Sequence, residues 1–115
     1  MELWKLLDIR PGLTAVIGSG GKTSLLRVLA QELSRRGSVL LTTTTHIMRP
    51  DWCPFAETEA ALRAAFARSP IACAGAFTPE GKLTAPDFPG WQTAADFVLV
   101  EADGSRGLPL KAHLS

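Results

Sequence analysis

The segment Gly18-Ser19-Gly20-Gly21-Lys22-Thr23 combines three glycines with a lysine and a hydroxyl, the residue types that a phosphate-binding loop requires. Glycine takes positive φ readily and lets backbone N–H groups approach an anion with no Cβ in the way. Lys22 is placed to meet β- and γ-phosphates and Thr23 to ligate Mg²⁺, with Ser24 next in the same helix start. Each charge-assisted hydrogen bond of this kind contributes about 1.5 to 3 kcal/mol. The full GxxxxGK(S/T) pattern would place glycine at position 16, where this chain has Val16, so the match is to a shortened GxxGKT.

A second chemical feature closes the apolar run at residues 97–100, which leads directly into Glu101-Ala102-Asp103-Gly104. Glu101 and Asp103 are two apart, so in a continuing strand they share one side, and either can hold the water shell of Mg²⁺ or polarise an attacking water. The plain alternative is a strand end at which Asp103-Gly104 makes the bend. Residues 42–46 carry four threonines and a histidine; Thr44 and His46 can meet a phosphate, metal or substrate, although a lone histidine also reads as partly exposed strand. Lys111, with Arg106, can bring positive charge to an anionic ligand near Asp103, against the alternative of a solvated face.

These residues need elements to position them. Apolar spacing predicts a short opening helix over residues 1–9, stopped by Arg10-Pro11-Gly12. A buried parallel strand follows at 13–17, then an amphipathic helix at 23–36 with Leu25, Leu26, Leu29 and Leu33 on one face and Gly37 as its left-handed cap. Strand two spans 38–45. Residues 51–55 read as loop, Thr58 caps a helix reaching Arg68, and strand three spans 71–77. Three prolines and two glycines make 78–92 an irregular excursion with at most a short hairpin, before strand four at 97–100. The glycine loop thus lies between a strand and a helix, where unpaired backbone N–H groups converge. The acids end a strand on the edge where ligands bind in open α/β sheets.

With 115 residues and 46% hydrophobic content, the chain can bury one core, so a single domain over 1–115 is expected. Net charge is +1, with 12 basic against 11 acidic residues, which leaves no field to gather nucleic acid or an anionic membrane. Cys53 and Cys73 have neither disulfide nor zinc spacing. Glu2, Lys5 and Asp8 interrupt the N-terminal apolar residues, and no run reaches membrane-spanning length, so a reduced, cytoplasmic protein is expected.

The short loop is similar to those of Mur-type amide ligases. Taken together, GSGGKTSLL at 18–26, TTTTHI at 42–47 and VEADGSRGLPLKA at 100–112 resemble the YqeC family, proposed accessory proteins of selenium-dependent molybdenum hydroxylases. The resemblance implies an α/β fold of the P-loop NTPase type: a three-layer sandwich with a mainly parallel sheet, here of about four strands and the N-terminal part of a longer family domain. It maps phosphate binding onto Gly20, Gly21, Lys22 and Thr23, and makes Thr44, His46, Glu101, Asp103 and Lys111 the further site candidates. The expected function is Mg²⁺-dependent binding of ATP or GTP, as a slow NTPase or NTP-driven accessory factor in selenium or molybdenum cofactor maturation. The implied partner is a molybdenum hydroxylase or a maturation protein. Two other readings share the residues: an ATP-using ligase or kinase, and a nucleotide-free interaction module. Four strands leave a parallel sheet with an open edge, and Trp52, Phe55, Phe88 and Trp91 fall in loop-like stretches, so self-association is also expected.

Overall fold

The computed structural model describes residues 5, 9–18, 22–43, 52–80, 83–103 and 111–113. Of the expected opening helix, Lys5 is helical and Ile9 is buried; the other residues of that segment lie outside the described ones. The elements in chain order are β1 (Gly12–Gly18), α1 (Lys22–Leu33), β2 (Val39–Thr43), β3 (Phe55–Ala56), α2 (Glu59–Phe66) and β4 (Ile71–Ala74). They continue with β5 (Ala76–Phe77), β6 (Leu83–Thr84), a 3-10 turn (Trp91–Thr93), β7 (Phe97–Asp103) and β8 (Lys111–His113).

Six strands form one sheet in the order β3-β4-β2-β7-β1-β8. Five of them are parallel, and β8 returns antiparallel along β1. The central strands are apolar on both faces, as a parallel sheet covered from both sides demands: Val39, Leu40, Val98 and Leu99 have no exposed surface. Alternation along them divides the core in two. Val39, Leu41, Phe97 and Leu99 meet Leu26, Leu29, Ala30 and Leu33 of α1. Leu40, Val98 and Val100 meet Leu62 and Ala65 of α2 with Ala56, Ala72 and Ala74. The spacing of the buried α1 residues makes one helical face. Burying each such leucine contributes about 1.5 to 3 kcal/mol, so the two helices hold the sheet from opposite sides.

The α2 start is capped as its sequence predicts: Ala61 N donates to Thr58 Oγ1 at 3.1 Å from an extended Thr58. The end of α1 differs from expectation. Gly37 is not left-handed; among the described glycines only Gly12 (φ 111°) and Gly90 (φ 82°) have positive φ. What Gly37 provides is room. A Cβ there would overlap the Asp96 carboxylate and stand 2.9 Å from its Cβ and Cγ. That carboxylate accepts from Ser38 N at 3.0 Å, Asp96 N in turn donates to Ser38 Oγ at 2.9 Å, and Gly12 N donates to Asp96 O at 2.9 Å. Asp96 therefore ties the starts of β1, β2 and β7 together.

Two segments carry more structure than their sequence predicts. Phe55 and Ala56 form β3 beside β4, and residues 71–77 are not one strand: β4 stops at Ala74 and β5 pairs antiparallel with β6 as a separate two-stranded sheet. Among the described residues the β4-to-β7 crossover contains no α-helix. Phe88, Trp91 and Ala95 take the place of one, packing half-buried against the α2-side core, while Trp52 and Phe55 pack against the α1-side core. The four aromatic residues in loop-like sequence are thus all accommodated within the chain.

Candidate functional site

β1, β2 and β7 run the same way, and their carboxyl ends define one edge of the sheet. β1 delivers Gly18 to that edge and α1 begins four residues later at Lys22, with Thr23 and Ser24 in its first turn. Unpaired amide groups and the positive end of the helix dipole therefore face this edge. Ser19, Gly20 and Gly21, the middle of the glycine loop, lie outside the described residues, as do Thr44 and His46 beyond the end of β2.

The two acids are strand residues. β7 continues three residues past Val100 because it has a ladder partner on each side: Glu101 pairs with Val16 of β1 and with Thr43 of β2, and Asp103 pairs with Gly18. Of the alternative bend at Asp103-Gly104, Asp103 closes the strand and Gly104 lies outside the described residues. Gly18 and Asp103 are neighbours across a single strand spacing, about 4.8 Å. Glu101 lies one row inward, on the α1 face with Leu99, and is only 3% exposed. Carboxylates are almost never buried to that degree without compensation.

Lys111 is brought to the same region by an element that its sequence did not disclose. β8 pairs with β1 so that Lys111 stands opposite Val16, which is itself opposite Glu101. Thr43, Glu101, position 16 and Lys111 thus form one row across four adjacent strands. The proline-containing run 104–110 gives no strand pattern, and three residues are too few for a period to show; only the register reveals β8.

Two more polar groups are buried in the sheet, Thr42 from the threonine run at 42–45 and Thr14, which sequence reasoning did not single out. Thr14 and Thr42 are 0% and 4% exposed, and neither Oγ1 has a hydrogen-bond partner among the described residues. Both sit in apolar strand runs where threonine reads as a β-former. On the flank of α1, the Arg27 guanidinium lies 5.6 Å from the centroid of the Trp52 ring, a cation–π geometry. Next to it, burial pushes the Cys53 thiol up to about 11. At the opposite edge of the sheet a cavity of about 400 Å³ is lined by Pro11, Arg35, Arg36, Asp96 and Phe97. It lies at the amino ends of the strands, away from the glycine loop and the acids.

Over residues 14–115 the chain matches the family model described as YqeC protein. It is 42% identical over 118 aligned positions to the "Uncharacterized protein YqeC" of Escherichia coli (strain K12), a match that takes in 90% of this chain and 44% of that protein. The chain therefore spans less than half the length of this relative. No solved structure matches it.

Proposed function

The chain belongs to the YqeC family, and on that footing we propose that the carboxyl edge of its sheet is a nucleotide site of the P-loop NTPase type, binding ATP or GTP with Mg²⁺. The observation that carries this reading is the β1–β7 register, in which the strand feeding the glycine loop is the direct neighbour of the strand ending in two acids. A phosphate site needs a cation, backbone donors and a carboxylate within one crevice. Residues 18–24, Glu101 and Asp103 supply all three from adjacent elements.

The residues suit Mg²⁺. Thr23, Glu101 and Asp103 offer hard oxygen donors, and a small hard cation is typically held by one or two carboxylates plus phosphate oxygens. The deep burial of Glu101 fits a carboxylate with a standing task at this edge. In this reading Gly18, Ser19, Gly20 and Gly21 give backbone donors to the phosphates, and Lys22 neutralises their β- and γ-oxygens. Thr23 and one acid hold the metal, while the other acid orients water. Thr44 and His46 follow β2 on the same side. When bound, Mg²⁺ offsets charge on the transferred phosphoryl group.

Within the cell this activity would serve a cytoplasmic accessory factor in selenium or molybdenum cofactor maturation, docking on a molybdenum hydroxylase or a maturation protein. The experiment is a thermal-shift screen of ATP and GTP with and without Mg²⁺. A nucleotide at about 100 times its dissociation constant adds about 2.7 kcal/mol of apparent stability. No shift with any nucleotide up to millimolar concentration, with Mg²⁺ present, would overturn the reading.

A further inference from the structure

We propose that the cavity at the amino edge of the sheet is a second binding site, for a small molecule that carries an oxyanion, phosphate or carboxylate, together with an ammonium or hydroxyl donor. The cavity has a volume of about 400 Å³ and is lined by Pro11, Arg35, Arg36, Asp96 and Phe97. Small-molecule sites are commonly concave spaces of about 300 to 1,000 Å³ in which apolar walls surround a few polar groups. Here Pro11 and Phe97 give the apolar wall, and the polar groups are two guanidiniums and one carboxylate. The starts of β1, β2 and β7 meet at this cavity, while the glycine loop lies at the other end of α1, a helix of 12 residues and so about 18 Å long. The site is therefore separate from the proposed nucleotide site and does not depend on it.

The hydrogen bonding around the cavity leaves both signs of charge open to a ligand. A helix ends with four carbonyls that need donors from outside its own ladder, and in α1 all four have them: Ala30 O accepts from Ser34 N, Gln31 O from Ser34 Oγ, Glu32 O from Arg35 N, and Leu33 O from Arg36 N and Gly37 N. The Arg35 side chain is thus not needed to satisfy the helix end, and it is exposed with no partner among the described residues. Its guanidinium is a planar fork of donors that matches a phosphate or carboxylate, and Arg36 adds a second positive charge to the same wall. Asp96 is fixed through one oxygen. Oδ2 accepts from Ser38 N at 3.0 Å and Asp96 N donates to Ser38 Oγ at 2.9 Å, whereas Oδ1 accepts from none of the described residues. A carboxylate placed there repels a bare oxyanion and favours one whose molecule also brings a donor to Oδ1. The mixed lining therefore selects an amphoteric ligand over a simple anion.

The test is a titration of the whole isotope-labelled chain followed by amide chemical shifts. Phosphoethanolamine is the probe with both groups, β-alanine its carboxylate counterpart, and inorganic phosphate and ethanolamine carry one group each. Phosphoethanolamine or β-alanine is expected to move the amides of Gly12, Ser38 and Phe97, which flank the cavity, at concentrations where neither single-group probe does. Which of the two binds more tightly assigns the oxyanion. Arg35→Ala, a surface substitution beyond the end of α1, should weaken that binding about tenfold or more through loss of a charge-assisted contact. Asp96→Asn can keep the bond from Ser38 N with its amide oxygen while presenting a donor to the cavity, so it should abolish the advantage of phosphoethanolamine over inorganic phosphate. The proposal is overturned if no probe moves these amides at tens of millimolar, if inorganic phosphate moves them as strongly as phosphoethanolamine, or if Arg35→Ala binds like the parent chain. Shifts confined to residues 18–24 would also overturn it, and would support the glycine loop instead. Cavity shifts in a chain that no Mg²⁺-nucleotide stabilises would keep this site and remove the nucleotide one.

Discussion

A carboxylate that is 3% exposed, beside apolar Leu99 and Val100, is the most expensive side chain this sheet retains, and its neighbour two residues on stands at the rim beside Gly18. The two acids should therefore differ in character. Asp103→Asn is expected to reduce NTP turnover under limiting Mg²⁺ with little loss of stability, whereas Glu101→Gln should change turnover and Tm together. Wild-type hydrolysis rates in both variants would remove the carboxylates from the site. Lys22→Ala should leave the fold intact and weaken Mg²⁺-nucleotide binding by about 2 kcal/mol or more, read by isothermal titration. Cys53 gives a prediction in pH. Burial raises its thiol from 9.0 to about 11, so the folded chain holds this proton more tightly than the unfolded one. The associated stability is fully present below pH 9 and is lost as pH rises from 9 towards 11. Cys53→Ala should show a smaller loss over that window, and mass spectrometry should find Cys53 slow to alkylate at pH 7.5 because little thiolate is present.

Among the elements, those whose residues satisfy one dominant constraint were legible in the sequence. β1, α1, β2, α2 and β7 each have a long apolar run or a single helical face, and their positions differ from the sequence reading by a few residues at the ends. The candidate site was legible in type because a glycine loop and an acidic strand end are local patterns. Its geometry was not, because which strand lies beside β1 depends on topology; nothing in residues 97–103 says that they pair with both β1 and β2. β3, β5, β6 and β8 have two or three residues each, too short for a period, and exist only through their partners. The α1–β2 turn shows the same limit. Gly37 reads as a left-handed cap until Asp96, 59 positions away, is seen pressed against it. An alanine there must displace the carboxylate that receives Ser38 N–H. Gly37→Ala is therefore expected to destabilise by about 1 to 3 kcal/mol, the usual range for overpacking, and Asp96→Ala by about 1 kcal/mol through the lost hydrogen bonds. Since both act on the same contact, their effects in chemical denaturation should be less than additive in the double variant.

At the scale of the whole molecule the sheet is asymmetric: its parallel strands are held between α1 and α2, and its two ends are closed by very short strands, β3 with two residues and β8 with three. Short edge strands offer few ladder groups to another chain. The expectation of self-association rested on an open edge of the parallel sheet and on aromatic residues in loop-like stretches; β8 lies along the β1 edge, pairing with Thr14, Ala15 and Val16. Association through β1 should therefore be conditional on β8. Ala112 pairs with Ala15 at the middle of this ladder, and proline at 112 would remove the backbone N–H and disfavour the strand conformation of the preceding residue. Once β8 lifts, the edge of a seven-residue strand is exposed beside an apolar core, a ready template for strand addition. Ala112→Pro is thus expected to move to higher, concentration-dependent mass in size-exclusion chromatography with light scattering across a dilution series, while the parent chain associates less at each concentration. If the two chains give the same mass at every dilution, β8 does not guard the β1 edge and any self-association must use another surface.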